Sequence, residues 1–213
     1  MAKLVSSFKN MALSLTCIAL VAAGALAGVY MLTMAPIEAA MKAKQEAAIM
    51  QVLPQVEGLQ VADAEDANGI TLYKAYVDEE WVGTAVEATT EGNANMPFGG
   101  TFRLMVGFDN VGNVVNYVVL EQAETPGLGA LMVSWFCNAD KPGQNIIGKN
   151  PATTNFTVSK DGGDVDAITA STITSRAFLE VVVKAYNAIA QQPMPIEATS
   201  GATQLTTEEG GLQ

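Results

Sequence analysis

The 213-residue chain reads as an α+β protein, with a single N-terminal transmembrane helix followed by one exported domain of antiparallel strands with helices. Three observations predict this. No charged residue occurs from Asn10 to Ile37. Between residues 70 and 120, short β-rich runs are separated by turn residues. From Ser175 to Gln191 the apolar period lengthens to that of an amphipathic helix.

The first element is the span, Met11 to Ala35 (MALSLTCIALVAAGALAGVYMLTMA). About 20 apolar residues suffice for the ~30 Å hydrocarbon core. Lys3 and Lys9 precede it and all 22 carboxylates follow it. The positive-inside rule then leaves residues 1–10 in the cytoplasm and puts the domain on the periplasmic, outer side of the cell inner membrane. Tyr30 suits an interfacial aromatic. Ala25-Leu26-Ala27 has the look of a signal-peptidase site, but the apolar run continues through Gly28 to Ala35, longer than a usual signal core. Ser14-Leu15-Thr16 is a poor lipobox, so Cys17 reads as a small apolar filler within the helix. Cys137 then has no partner, and no disulfide is expected.

A helical neck follows over residues 36–54. Pro36 ends the span or opens the next helix, good helix formers continue to Leu53, and Pro54 stops it. Residues 55–196 form the exported domain. Ile70–Val77 and Trp81–Glu87 read as strands joined by Asp78-Glu79-Glu80. Residues 92–100 are loop. Thr101–Phe108 and Val114–Leu120 flank Asp109-Asn110-Val111-Gly112-Asn113, a strong hairpin signal. Residues 121–129 are a Pro/Gly turn, and Leu131–Cys137 is either strand or short helix. Phe156–Ser159 reads as a short strand, with a turn at Asp161-Gly162-Gly163-Asp164. The helix Ser175–Gln191 carries the stripe Phe178, Val181, Val182, Ala185 and Ile189, with Arg176, Glu180, Lys184 and Asn187 opposite. Residues 197–213 are polar, a loosely ordered tail.

Composition excludes several functions. The net charge of −11 argues against nucleic acid, whose phosphates need Lys and Arg on the contact face. With no histidine, histidine triads and histidine-ligated metals are absent. No metal site and no catalytic residue are expected. The chemistry concentrates in Asp166-Ala167-Ile168-Thr169-Ala170-Ser171-Thr172-Ile173-Thr174-Ser175, half of it hydroxylic, directly before a helix. Ser and Thr here cap the helix, or they join its free N–H groups in a phosphate site; residue chemistry alone leaves both open.

This segment resembles the flavinylation motif of the FMN-binding domain family, roughly Asp-x-x-Ser/Thr-Gly-Ala-Thr-x-Thr-Ser. That family includes the G subunit of the Rnf electron-transport complex and the C subunit of the sodium-pumping NADH:quinone reductase. Glu124-Thr125-Pro126-Gly127-Leu128-Gly129 resembles a second family feature, a turn lying close to the flavin. The resemblance spans nearly the whole chain, and the opening (LVSSFKNMALSL) is more similar to the Rnf member.

The resemblance implies a covalent FMN, joined by a phosphoester to Thr172 and installed by a flavin transferase that uses FAD. It implies that Thr169, Ala170, Ser171 and Thr174 surround the phosphate and that Glu124, Thr125, Gly127 and Leu128 lie along the ring. Ala170 and Ser171 stand where the family has Gly and Ala; both are small and read as tolerated. Ser200-Gly201-Ala202-Thr203, with Glu197 ahead of it, matches the core triplet better but has no amphipathic helix behind it, which favours Thr172.

The implied function is a membrane-anchored flavoprotein that relays electrons in a complex coupling ferredoxin:NAD oxidoreduction to ion translocation. Such a chain is an electron-transfer subunit of a redox-driven translocase, without complete activity alone. Its partners are the other membrane subunits, which the small residues Ala19, Ala22, Ala23, Gly24, Ala27 and Gly28 on the span allow to approach closely. The C-type subunit of the sodium pump and a cofactor-free anchored binding module are the alternatives.

Overall fold

A computed structural model describes residues 7–67, 69–90 and 101–190. The expected loop over 92–100, Glu197, the second Ser-Gly-Ala-Thr at 200–203 and the tail lie outside the described residues. The chain divides into two units, residues 1–50 and 51–213.

The first unit is almost wholly helix α1, Phe8–Val52, whose last two residues belong to the second unit. Among the described residues it is the one helix long and apolar enough to cross a membrane. The apolar side chains along it, from Phe8 to Tyr30, Met31 and Leu32, are exposed, as a lipid-facing span requires. Pro36 neither ends the helix nor opens a second one; it sits inside one continuous α-helix. Proline removes a single donor, and long helix-forming runs on both sides carry the helix through that loss. Pro54 acts as expected: the residue before a proline is pushed out of helical backbone, and α1 stops at Val52.

The second unit is built on a six-stranded antiparallel sheet: β1 (Gln60–Val61), β2 (Glu65–Ala67), β3 (Ile70–Val77), β4 (Glu80–Thr89), β5 (Arg103–Asp109) and β6 (Val114–Glu121). The order is β1-β3-β4-β5-β6, with β2 also on β3. β1 and β2 are too short to show a period-2 pattern, and sequence reading misses them. The β3–β4 turn is two residues, not three. Asp78 (φ 50°) and Glu79 (φ 68°) form it, while Glu80 already pairs with Val77. Two left-handed residues make the type I′ geometry that matches strand twist. In the β5–β6 turn the Asp109 carboxylate accepts from Val111 N, Asn113 N and Asn113 Nδ2 at 2.8–3.0 Å. Gly112 supplies the left-handed residue, φ 86°.

One sheet face carries the core. Leu72, Val86, Val106 and Tyr117 share one rung across β3–β6. Helix α3 (Thr172–Ala190) packs over them with Phe178, Leu179, Val181, Val182 and Ala185 buried. Its expected partner Ile189 is only partly buried. The helix starts three residues before the expected Ser175, because the hydroxylic segment itself forms the first turn. Phe178 stacks on Phe136 (4.3 Å between centroids) and meets the edge of Tyr117 at 5.0 Å. Tyr117 donates to Met132 O at 2.6 Å, and burial pushes its phenol well above the ordinary tyrosine range. The opposite face is crossed by residues 51–54: Gly107 lies so close to the Val52 carbonyl that any Cβ would overlap it.

The apolar run Leu131–Cys137 is helical, not strand: a 3₁₀ turn at Gly129–Leu131 leads into the single-turn helix α2, Met132–Trp135. The expected strand Phe156–Ser159 is not one. Val158 makes an isolated bridge to Val165, and the chain turns at once into the 3₁₀ segment Ser159–Asp161. Gly162 (φ 85°) reverses it, and Gly163 lies against the Thr157 carbonyl, leaving no edge for a longer ladder.

Candidate functional site

A type II turn precedes α3. Ser171 N donates to Ile168 O at 3.0 Å, and Ala170, the third residue, has φ 60° while Thr169 does not cross into positive φ. An alanine in left-handed backbone costs about 1 kcal/mol. Ser175, fully buried, fastens the turn: its Oγ accepts from Ile168 N and donates to Ser171 O, both at 2.9 Å. Trp135 Nε1 donates to Asp166 O at 2.8 Å, which anchors the start of the motif.

The first intrahelical bond of α3 runs from Ser175 N to Ser171 O, so the N–H groups of Thr172, Ile173 and Thr174 have no intrahelical partner. With the helix dipole they form a positive end suited to an anion.

The second border is the turn Thr125–Leu128, closed by Leu128 N to Thr125 O at 3.1 Å, with Pro126 presetting φ and Gly127 at φ 76°. The two borders meet through one hydrogen bond. Thr174 Oγ1, buried, donates to Glu124 Oε2 at 3.0 Å. Gly129 stands under that pair, and a Cβ there would overlap Glu124 Oε2. Between the borders lies an open cleft of about 470 Å³, lined by Glu124, Thr125, Leu128, Gly129 and Ala170–Thr174.

Of the residues expected from sequence, Glu124, Thr125, Leu128, Ala170, Ser171, Thr172 and Thr174 line this cleft; Gly127 and Thr169 do not. Gly127 shapes its turn, and Thr169 is exposed as the second residue of the Ile168–Ser171 turn. The Thr174 hydroxyl gives its proton to Glu124. Three contributors escaped sequence reading. Gly129 and Ile173 sit inside the two motifs and could have been found there. Lys160 could not: its Nζ donates to Thr172 Oγ1 at 3.3 Å from the 3₁₀ turn Ser159–Asp161. Beside it, Arg176 Nε and Nη2 donate to the two oxygens of Asp161 at 2.6 and 2.8 Å. Those hydrogen bonds hold the Asp161 carboxyl below its ordinary range and raise the Arg176 guanidinium. Among the described residues no carboxylate, histidine or cysteine cluster could hold a metal.

The lining suits a group with an anionic end and an apolar body, as FMN has. Leu128, Ala170 and Ile173 give an apolar floor, and a helix N-terminus with a neighbouring ammonium gives an anion-binding end.

The cleft residues fall within a stretch of the chain that matches a known family. The family model described as FMN-binding domain matches residues 98–187, and that described as RnfG N-terminal region matches residues 1–52. In Methanosarcina acetivorans, the protein named as the G subunit of an ion-translocating oxidoreductase complex is 32% identical over 184 residues, 82% of this chain and 90% of its own. The protein of that name in Haemophilus influenzae strain PittEE is 32% identical over 158 residues, 71% of this chain and 75% of its own. The Escherichia coli K12 protein is 36% identical over 118 residues, 54% of this chain and 53% of its own.

Proposed function

The chain belongs to the family of G subunits of ion-translocating oxidoreductase complexes, and from that premise we propose that Thr172 carries FMN through a phosphoester and that the cleft beside it seats the flavin ring. The protein is a membrane-anchored FMN subunit of an Rnf-type complex, with an electron-transfer role. The match of residues 1–52 favours this over the C-type subunit of the sodium pump, and the FMN-binding match over 98–187 speaks against a cofactor-free module.

One observation supports the covalent site above all: the Thr174–Glu124 hydrogen bond at 3.0 Å joins two motifs 50 residues apart around one cleft, with Thr172 on its rim. The bound flavin would supply one- or two-electron chemistry. The chain's own residues do the positioning. Thr172 is the attachment oxygen. The N–H groups of Thr172, Ile173 and Thr174 stabilise the phosphate. Leu128 and Ile173 present apolar surface to the ring, and Glu124, tied to Thr174, keeps the two borders at fixed spacing. A covalent tether suits the outer side of a membrane, where lost FMN is not readily replaced. A flavin transferase using FAD installs it, and the N-terminus stays cytoplasmic. Gly24 and Gly28, four residues apart on α1, let a neighbouring helix of the complex approach closely.

The test is direct. The full chain, co-expressed with a flavin transferase, gives a fluorescent band on a denaturing gel and gains the mass of FMN less water. Thr172→Val abolishes both, whereas Thr203→Val retains them. A dark wild-type band beside an active transferase refutes the reading.

A further inference from the structure

We propose that Lys160 is the positioning residue for attachment at Thr172, holding the hydroxyl before the bond forms and neutralising the phosphodiester afterwards; this rests on the reading of Thr172 given above. Lys160 Nζ lies 3.3 Å from Thr172 Oγ1. The backbone beneath it is fixed on every side. Ser159 N donates to Val165 O at 2.7 Å. Gly163 is wedged against the Thr157 carbonyl, and Gly162 is left-handed. Asp161 is clasped in a two-pronged bond by Arg176 from the first turns of α3. That clasp ties the turn carrying Lys160 to the helix carrying Thr172, and it occupies the neighbouring carboxylate, leaving the ammonium directed at Oγ1.

The chemistry explains why a cation belongs there. Attachment forms the bond from Thr172 Oγ1 to the flavin-side phosphorus of the dinucleotide. It breaks the pyrophosphate bond, releases AMP and passes the hydroxyl proton to a base on the transferase. Because Nζ donates to Oγ1, the hydroxyl's own hydrogen stays free for that base. A neutral side chain becomes a phosphodiester with one negative charge, and the ammonium and the helix N-terminus both favour the charged product. The contact is a single hydrogen bond from an exposed side chain, neither bidentate nor stacked, so arginine can stand in for lysine here.

The experiment follows covalent labelling of the full chain with FAD and transferase over time, by in-gel fluorescence and intact mass. Lys160→Met slows the initial rate about tenfold, the effect of losing one charged hydrogen bond. Lys160→Arg stays within about threefold of wild type, as retention of the charge requires. In fully labelled protein, the ³¹P resonance of the phosphodiester shifts in Lys160→Met relative to wild type. Labelling of Lys160→Met at the wild-type rate, Lys160→Arg as slow as Lys160→Met, or an unmoved resonance each overturns the proposal. Thr172→Val separates the two readings: if it still labels, the attachment site itself is wrong; if it is dark while Lys160→Met labels normally, only the role of Lys160 falls. Lys160 is exposed, so these substitutions leave the core intact.

Discussion

The turns Thr125–Leu128 and Ile168–Ser171 face each other across the cleft and meet the same backbone demand with different residues. Each has its third residue in left-handed backbone, Gly127 at φ 76° and Ala170 at φ 60°. Gly127 adopts it without a Cβ penalty, after a proline that presets the turn. Ala170 bears the penalty, and its turn is held shut by the buried Ser175 hydroxyl, which bonds to both Ile168 N and Ser171 O. The difference teaches that the wall carrying Thr172 is strained and over-determined, whereas the opposite wall is relaxed. Rigidity beside Thr172 comes from hydrogen bonds reaching back from α3, not from the turn's own residues.

Gly129→Ala strikes both walls at once and has the largest expected effect. Its Cβ displaces Glu124 from Thr174 and leaves a buried hydroxyl and carboxylate unpaired, costing about 1–3 kcal/mol. Denaturant unfolding followed by tryptophan fluorescence measures that loss, and covalent flavin yield falls with it. The next two changes test the contrast itself. Gly127→Ala places a Cβ in open space, so its cost of about 1 kcal/mol is purely conformational. Ala170→Gly relieves the corresponding strain and stabilises by at most about 1 kcal/mol, partly offset by the greater freedom of glycine in the unfolded chain. Opposite signs in the same unfolding assay support the comparison; a loss in both breaks it.

The smallest effect is acid-dependent. The Asp161 carboxyl is held low by Arg176, so its contribution is fully present above the ordinary aspartate range and is lost as pH falls through the lowered folded value. Asp161→Asn removes that share of the pH dependence. A stability titration from about pH 6 to about pH 3, spanning the ordinary aspartate range, shows a shallower fall in the variant, whereas identical curves sink the assignment.

Much of this was legible in the sequence because it is local. An unbroken uncharged run, strands Ile70–Val77 and Val114–Leu120 and the stripe on α3 are periodic signals that neighbouring residues write by themselves. The two motifs were legible for the same reason. Boundaries that depend on a single residue were less so: Pro36 reads as a stop but is carried through by the helix around it, and Val158 reads as strand but finds only Val165 to pair with.

The sequence by itself therefore determined an apolar anchor, an antiparallel sheet with a late helix, and which short segments hold the unusual chemistry. Only the tertiary structure decided that Glu124 meets Thr174, that Ala170 is left-handed and that Lys160 reaches Thr172. The reason is physical. Periodicity reports which face of an element is buried, whereas a contact between residues 12 or 50 positions apart depends on register, turn geometry and helix docking acting together, and an exposed lysine leaves no pattern in the residues beside it.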